Sequence, residues 1–346
     1  MKKKVAILSW YGKTNVGGVE RVVGLLEDLL SEYYDCMVVD ENFVKHIYKR
    51  EKLWYDSKIG KMLLLSFTAK RLKKAGYFLI GNGFNAPFVQ KDICIAHGTM
   101  YGLKKAINQF AWGGSTIFEA LAMKKSDRII AVSQETRKAL IEKYRIKENR
   151  IDVIENCVDC KMFFPLMQDQ DCLTIIFCGR LEERKGIDRL CALAKKIDEK
   201  NNIKLKIAAP VNDNVEMFSN LKNTEICVGL HYSQMNQFYN SGNVMFFPSK
   251  SEGYEMVTLE CLAAGIPVVG NYVGAVKELV DENFPGVFIA KSDEEELLVQ
   301  LRSIAMQFQS MQKRELLHET VNRRLGKEQY KNKMYTTLAH CINKQR

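Results

Sequence analysis

The residues best suited to chemistry lie in one stretch, SEGYEMVTLECLAAGIPVVG, from Ser251 to Gly270. Glu252 and Glu260 stand eight positions apart in it. Two carboxylates can form an acid–base pair, hold a metal, or grip the hydroxyls of a ligand. Glu252 follows a predicted strand, Val244–Phe247, and the Pro248-Ser249 turn, beside Gly253. A helix predicted from about Glu255 carries Glu260 on its second turn. The two carboxylates then lie at different depths along one elongated ligand and do not share a proton. Acceptors with that reach suit sugar and ribose hydroxyls. Gly265 and Pro267 end the helix and lead into the next strand.

Three more clusters can bear on a ligand. Cys178-Gly179-Arg180-Leu181-Glu182-Glu183-Arg184-Lys185-Gly186 follows the first strand of the second half. Arg180 is placed at that strand's carboxyl end and Lys185 at the entrance of the next helix. A guanidinium fork and an ammonium point charge suit a diphosphate, although such residues also serve as plain surface charge. Asn15-Val16-Gly17-Gly18-Val19-Glu20-Arg21 follows the first strand and opens a helix. Gly17 and Gly18 let backbone approach a phosphate there, or simply make a tight turn. Ala96-His97-Gly98-Thr99 ends another strand, so His97 stands either at a ligand-facing edge or as a structural histidine.

Other motifs fail on spacing. Gly12-Lys13-Thr14 resembles the end of a phosphate-binding P-loop, but Ile7 stands where the first glycine belongs. Gly81-Asn82-Gly83-Phe84-Asn85-Ala86 matches a dinucleotide fingerprint, yet Pro87 follows and no helix starts there. Cys157 and Cys160 form a lone CxxC, short of the four ligands that structural zinc needs. The five histidines are scattered. No metal site is expected.

These clusters need strands that end at them. Apolar runs alternate with helical spacing throughout the first half: strands near 5–9, 37–39, 77–80, 93–96, 128–132 and 151–154, helices near 17–31, 63–74, 117–125 and 135–144. The pattern restarts with strands near 173–178, 203–208, 225–228, 244–247 and 268–270. Helices are expected there near 186–199, 214–220, 232–240 and 255–264, and through the tail from 292. Alternation of this kind gives parallel α/β sheets with helices on both faces. A polar break after Pro165 predicts two Rossmann-like domains, 1–165 and 166–327, facing across a cleft onto which the strand ends open.

At 346 residues and 47% apolar composition, the chain suits two globular domains. Ten cysteines without a regular framework, and no export signal, predict reduced thiols in a cytoplasmic protein. No stretch reaches the roughly 18 apolar residues of a membrane span. The formal charge of +10 is uneven: residues 1–160 hold 27 basic and 18 acidic side chains. Residues 45–74 alone hold ten basic and two acidic ones, interleaved with Trp54, Tyr55 and the Met62–Phe67 run. Such a segment either rests on an anionic membrane surface or packs its apolar side on its own domain. No nucleic-acid recognition signature accompanies the charge.

Taken in order, the motifs resemble glycosyltransferase family 4, retaining nucleotide-sugar transferases of the GT-B fold. Val16-Gly17-Gly18-Val19-Glu20 is similar to its N-terminal glycine pair, and Ala131-Val132-Ser133 to its strand-to-helix step. Ile154-Glu155-Asn156-Cys157-Val158-Asp159 through Phe164-Pro165 resembles its interdomain segment. Gly179-Arg180-Leu181 with Lys185-Gly186, and Pro248-Ser249 with Glu252 and Glu260, resemble its most specific elements. The resemblance implies that Arg180 and Lys185 hold a donor diphosphate and that Glu260 takes ribose hydroxyls. It implies that Glu252, with the backbone of Gly253, Tyr254, Glu255, Met256 and Val257, contacts the transferred sugar. Gly17, Gly18 and Gly179 would lie near the diphosphate and His97 near the sugar, with no cofactor and no essential metal. A C-terminal helix, about 328–346, would return to the first domain. The implied reaction moves a sugar, from a UDP-sugar foremost, to a glycan or lipid-linked acceptor in surface polysaccharide synthesis at the inner membrane face. A sugar phosphorylase or epimerase and a binding-only paralogue are the alternatives. Glu255 departs from the family, which often has glycine or proline there, and Cys157 and Ala208-Ala209-Pro210 replace glycines.

Overall fold

The computed structural model describes residues 2–12, 17–48, 57–101, 113–167, 172–211, 213 and 215–344. Two compact units emerge: Met1–Asn156 with Tyr330–Arg346, and Cys157–Gln329.

The first unit runs β1 (Lys4–Leu8), α1 (Gly18–Ser31), β2 (Asp35–Val39), α2 (Glu41–Tyr48), α3 (Lys58–Lys74), β3 (Phe78–Asn82), β4 (Lys91–Ala96), α4 (Gly113–Lys124), β5 (Ser126–Ala131), α5 (Gln134–Glu142) and β6 (Ile151–Val153). Its six strands are all parallel, in the order β2-β1-β3-β4-β5-β6. Val5–Leu8 and Ile93–Ala96 are fully buried, as strands covered on both faces must be. Helix α1 buries Val22, Val23, Leu26, Leu29 and Leu30 at helical spacing. Helix α3 starts earlier than its apolar run predicts, because Ser57 caps it by accepting from the Gly60 N–H at 3.0 Å.

The β3–β4 crossover contains no helix, as Pro87 foretold. Beneath it Lys91 is fully buried and donates to the Ala86 and Val89 carbonyls at 3.1 and 3.3 Å. Burial lowers its pKa. A Cβ on Gly81 would meet Lys91 Cδ at 2.6 Å, so this glycine makes room for a lysine stem.

The second unit runs β7 (Leu173–Cys178), α6 (Ile187–Asp198), β8 (Ile203–Ala209), β9 (Thr224–Val228), α7 (Met235–Asn240), β10 (Val244–Phe247), α8 (Met256–Ala263), β11 (Val268–Gly270), α9 (Gly274–Asp281), β12 (Val287–Ile289), α10 (Glu294–Gln307) and α11 (Met311–Leu325). Its parallel order is β12-β11-β10-β7-β8-β9. The helix expected over 214–220 is only a 3-10 turn, Glu216–Phe218, in which Phe218 is buried. Helix α9 and strand β12 were not expected; both are short and lack long apolar periodicity.

Segment 157–167 packs within the second unit, so the division falls before Cys157 and not after Pro165. Phe163 is fully buried with its ring 5.5 Å from Tyr232 and 5.8 Å from Tyr239. The backbone N–H groups of Phe164 and Leu166 donate to Asn236 and Asn240 at 3.0 and 2.8 Å. A linker this well bonded belongs to the domain that binds it. The last helix, α12 (Lys327–Lys344), enters the first unit from Tyr330 onward. There the Tyr335 ring meets Tyr33 with centroids 4.6 Å apart and planes tilted by 42°, and Lys3 donates to the Ile342 carbonyl at 2.8 Å.

Among the described residues no helix is long and apolar enough to cross a membrane. Within segment 45–74, Trp54 and Tyr55 lie outside the described residues, as do Lys13, Thr14, Asn15 and Val16.

Candidate active site

Strand order decides where a ligand can enter each sheet. In the second sheet β7 and β10 are neighbours from which the chain winds in opposite directions. The crevice outside their carboxyl ends is the switch point of an open parallel sheet. Gly179-Arg180 leaves β7 there, and Pro248-Ser249 leaves β10.

The two exits are locked together by backbone. Gly186 has φ +75, and a Cβ on it would strike the Pro248 carbonyl oxygen. The Lys250 N–H donates to the Arg184 carbonyl at 2.8 Å, and Ser249 Oγ lies 3.2 Å from the same oxygen. This seam carries Lys185 to Glu252. Lys185 Nζ lies 2.6 Å from Glu252 Oε1, Arg184 Nη1 lies 3.1 Å from it, and Ser249 Oγ donates to it at 2.5 Å. Lys185 also stands 5.5 Å above the Phe247 ring. Glu252 Oε2 has no bonded partner among the described residues. One carboxylate oxygen is thus fixed by two cations and a hydroxyl while the other remains available as an acceptor.

Arg180 is exposed and has no partner among the described residues. It leaves β7 beside the cluster without joining it. Gly253 and Val257 are half-buried, while Tyr254 and Met256 are buried. Glu260, 1% exposed, belongs to a second, deeper group. Tyr239 donates to its Oε2 at 2.8 Å and Tyr232 to its Oε1 at 3.2 Å. Burial pushes the Tyr239 hydroxyl well above its ordinary pKa, and the thiol of Cys178 and the carboxylate of Glu260 add to this. Glu252 and Glu260 therefore have separate partners.

The first sheet has its own switch point between β1 and β3. Gly17 caps α1 and Gly18 begins it. His97 Nε2 lies 2.7 Å from Asn82 Oδ1, while Asn82 Nδ2 faces Ser9 Oγ at 3.4 Å and the Val19 carbonyl at 3.3 Å. With the amide nitrogen spent on acceptors, Asn82 Oδ1 accepts, and His97 must donate from Nε2. Burial pushes the imidazole down to about 4, so it is neutral at pH 7. Just beyond it, the buried carboxylate of Glu119 accepts from the Met100 N–H at 2.7 Å and from the Tyr144 hydroxyl.

Residues 16–161 match the family described as Glycosyltransferase Family 4, and residues 172–306 match Glycosyl transferases group 1. The chain belongs to glycosyltransferase group 1/family 4. It has the GT-B fold. It is 26% identical over 263 residues to the capsular polysaccharide biosynthesis glycosyltransferase CapM of Staphylococcus aureus, covering 69% of this chain and 66% of CapM. It spans about half the length of some other curated relatives that it matches. Sucrose-phosphate synthase from Thermosynechococcus elongatus superposes with a TM-score of 0.81 at 15% identity, covering 99% of this chain and 100% of that one. Anabaena Alr3699/HepE in complex with UDP-glucose gives 0.73 at 16% identity, covering 97% and 99%.

Within this family member, the sequence motifs located Arg180, Lys185, Glu252 and Glu260 but gave no role to Arg184, Ser249, Asn82, Tyr232 or Tyr239. Arg184 and Ser249 sit inside the quoted motifs and were legible as polar neighbours. Asn82 was hidden in the dinucleotide-like decoy. The two tyrosines lie too far from Glu260 in sequence for spacing to pair them. Among the described residues no group of three or more His, Cys, Asp or Glu could hold a metal ion.

Proposed function

We propose that the chain is a retaining hexosyltransferase that moves a sugar from a nucleotide-sugar, a UDP-sugar foremost, to a glycan or lipid-linked acceptor in surface polysaccharide synthesis. The observation that carries this reading is the half-engaged Glu252 at the second switch point. Lys185, Arg184 and Ser249 hold one oxygen, and the other is left to accept from a sugar hydroxyl. Arg180 and Lys185 supply positive charge for the diphosphate, with Gly179 beside them allowing close approach. Glu260 takes the ribose hydroxyls, and the backbone of Gly253, Tyr254, Glu255, Met256 and Val257 faces the sugar. Gly17 and Gly18, at the start of α1, offer N–H groups to an anion. The neutral His97 offers its free Nδ1 to a hydroxyl. In this scheme the departing diphosphate takes the acceptor's proton, so fixed positive charge and aligned N–H groups do most of the catalysis and no metal is required. The complex of Anabaena HepE with UDP-glucose and the capsule role in the name of CapM support the donor class and the pathway class.

A lipid-linked acceptor is supported by α3. It leaves Ile59 and Phe67 more than half exposed on a helix that also presents Lys58, Lys70, Arg71 and Lys74 to solvent. Apolar side chains among exposed cations fit an anionic membrane surface at the cytoplasmic face. Replacing Lys70, Arg71 and Lys74 with alanine should abolish binding to anionic vesicles; unchanged binding would remove the membrane from the scheme.

The main test is a panel of nucleotide-sugars scored for slow hydrolysis and thermal stabilisation, with wild type and Glu260→Ala in parallel. A donor that releases nucleotide from wild type and is weakened by the substitution supports the reading. If no nucleotide-sugar and no nucleotide stabilises the protein, the reading fails.

A further inference from the structure

The side chain of Glu255 is buried, 8% exposed. It does not point its oxygens into open space. Oε2 accepts from the Ala275 N–H at 2.8 Å, and Oε1 accepts from Thr258 Oγ1 at 2.7 Å. The first contact is the telling one. Helix α9 has Val273 as its N-cap, with no side-chain cap bond of its own. Glu255 supplies the missing acceptor from another element, at the positive end of that helix.

The same spot crowds Glu252. Gly274 has φ +55, and a Cβ there would strike Glu255 Oε2 and come within 2.6 Å of Glu252 Cβ. Only a glycine lets both glutamates rest on the start of α9. The titratable surroundings are few. Glu252 repels the Glu255 carboxylate, and Lys185 and Arg184 offset Glu252 by holding its Oε1. On α9, Lys277 and Asp281 pair with each other at 3.0 Å, and Glu278 is buried with partners of its own.

We propose that Glu255 is a positioning residue that pins the 252–256 loop to the N-terminus of α9 and exchanges a proton with solvent in step with the Lys185–Glu252 ion pair. This rests on the donor reading above. Burial, with Glu252 next, pushes the Glu255 carboxyl up to about 7. When Lys185 turns to a diphosphate, Glu252 loses part of its offset and repels Glu255 more strongly. Glu255 then takes up a proton. By linkage, an anionic donor binds more tightly below pH 7 than above it.

The test uses the full chain as wild type, Glu255→Gln and Lys185→Met. Gln keeps both bonds, its amide oxygen accepting from Ala275 and its NH2 donating to Thr258, but it cannot titrate. Thermal unfolding from pH 5 to pH 8.5 needs no donor. Relative to Glu255→Gln, wild type should lose stability as pH rises toward neutrality, and Lys185→Met should move the midpoint of that relative loss upward. Identical profiles in wild type and Glu255→Gln overturn the proposal, as does an unmoved midpoint in Lys185→Met. If the Gln variant does not fold, the Lys185→Met midpoint decides alone. In a second arm, UDP-glucose, which does not titrate near neutrality, is titrated at pH 6 and pH 8. Its Kd should weaken about fivefold from pH 6 to pH 8 in wild type and stay flat in Glu255→Gln, the effect of a coupling of about one pKa unit. A Kd independent of pH in wild type overturns the coupling. Absence of UDP-glucose binding at either pH counts against the donor reading and leaves the unfolding arm to judge Glu255.

Discussion

Lys185 and Glu252 meet at 2.6 Å although 67 residues of chain separate them. The pair is part-buried, so solvent screens it less than a surface bridge. If Lys185 serves the diphosphate, Lys185→Ala should cost about 100-fold in kcat/KM for the donor, the scale of losing one charge-stabilising group. Arg184 and Ser249 still hold Glu252, so the fold should survive. Steady-state kinetics beside circular dichroism separates the two effects. Activity within a few-fold of wild type would make the pair structural.

Gly186 is the hinge of that meeting. Its left-handed backbone alone makes alanine cost about 1–2 kcal/mol. The added Cβ also strikes the Pro248 carbonyl, a backbone atom that cannot turn aside. Gly186→Ala should therefore lower the urea midpoint and, by parting Lys185 from Glu252, reduce donor turnover more than its stability loss explains. Equal urea midpoints would show that the seam yields freely.

How far the sequence revealed this site varies by residue. Strand exits were legible because buried parallel strands are short apolar runs, and Arg180 and Glu252 follow such runs directly. Lys185 and Glu252 were placed on one ligand, but their direct bond was not foreseen. It depends on Gly186 against Pro248, a backbone contact without a side-chain signal. In sequence Glu255 reads only as a departure from the family pattern, and its oxygens bond Ala275 and Thr258. That required α9, whose eight residues carry too little periodicity to be predicted. The polar run after Pro165 suggests a linker there, whereas the compact units divide before Cys157, because Phe163 and the Asn236 and Asn240 side chains bind segment 157–167 within the second unit.

His97 is held neutral by burial, with its proton on Nε2 facing Asn82. Its folded pKa, about 4, lies below the ordinary value near 6.5. An unfolded chain therefore binds this proton first as pH falls, and the part of the stability that depends on His97 should drop from about pH 6.5 down toward pH 4. Nitrogen NMR should show a bare Nδ1 at pH 6. His97→Gln should flatten that part of the acid limb, whereas His97 protonating near pH 6.5 would contradict a desolvated imidazole at this half-buried site.

Glu260 separates a structural carboxylate from a ligand-facing one. Its bonds to the two tyrosines are unequal: Tyr239 donates at 2.8 Å from full burial, while the half-buried Tyr232 donates at 3.2 Å. Tyr239→Phe leaves a buried carboxylate oxygen short of a donor and should cost about 1–3 kcal/mol, read from chemical unfolding. Tyr232→Phe should cost less, because its longer bond is the one that a ribose hydroxyl would replace. Nucleotide affinity should therefore survive Tyr232→Phe and fall about tenfold or more in Glu260→Ala, by calorimetry. If Glu260→Ala binds nucleotide as wild type does while Tyr239→Phe still loses stability, Glu260 anchors α8 to Tyr239 and the ribose must be held by other groups.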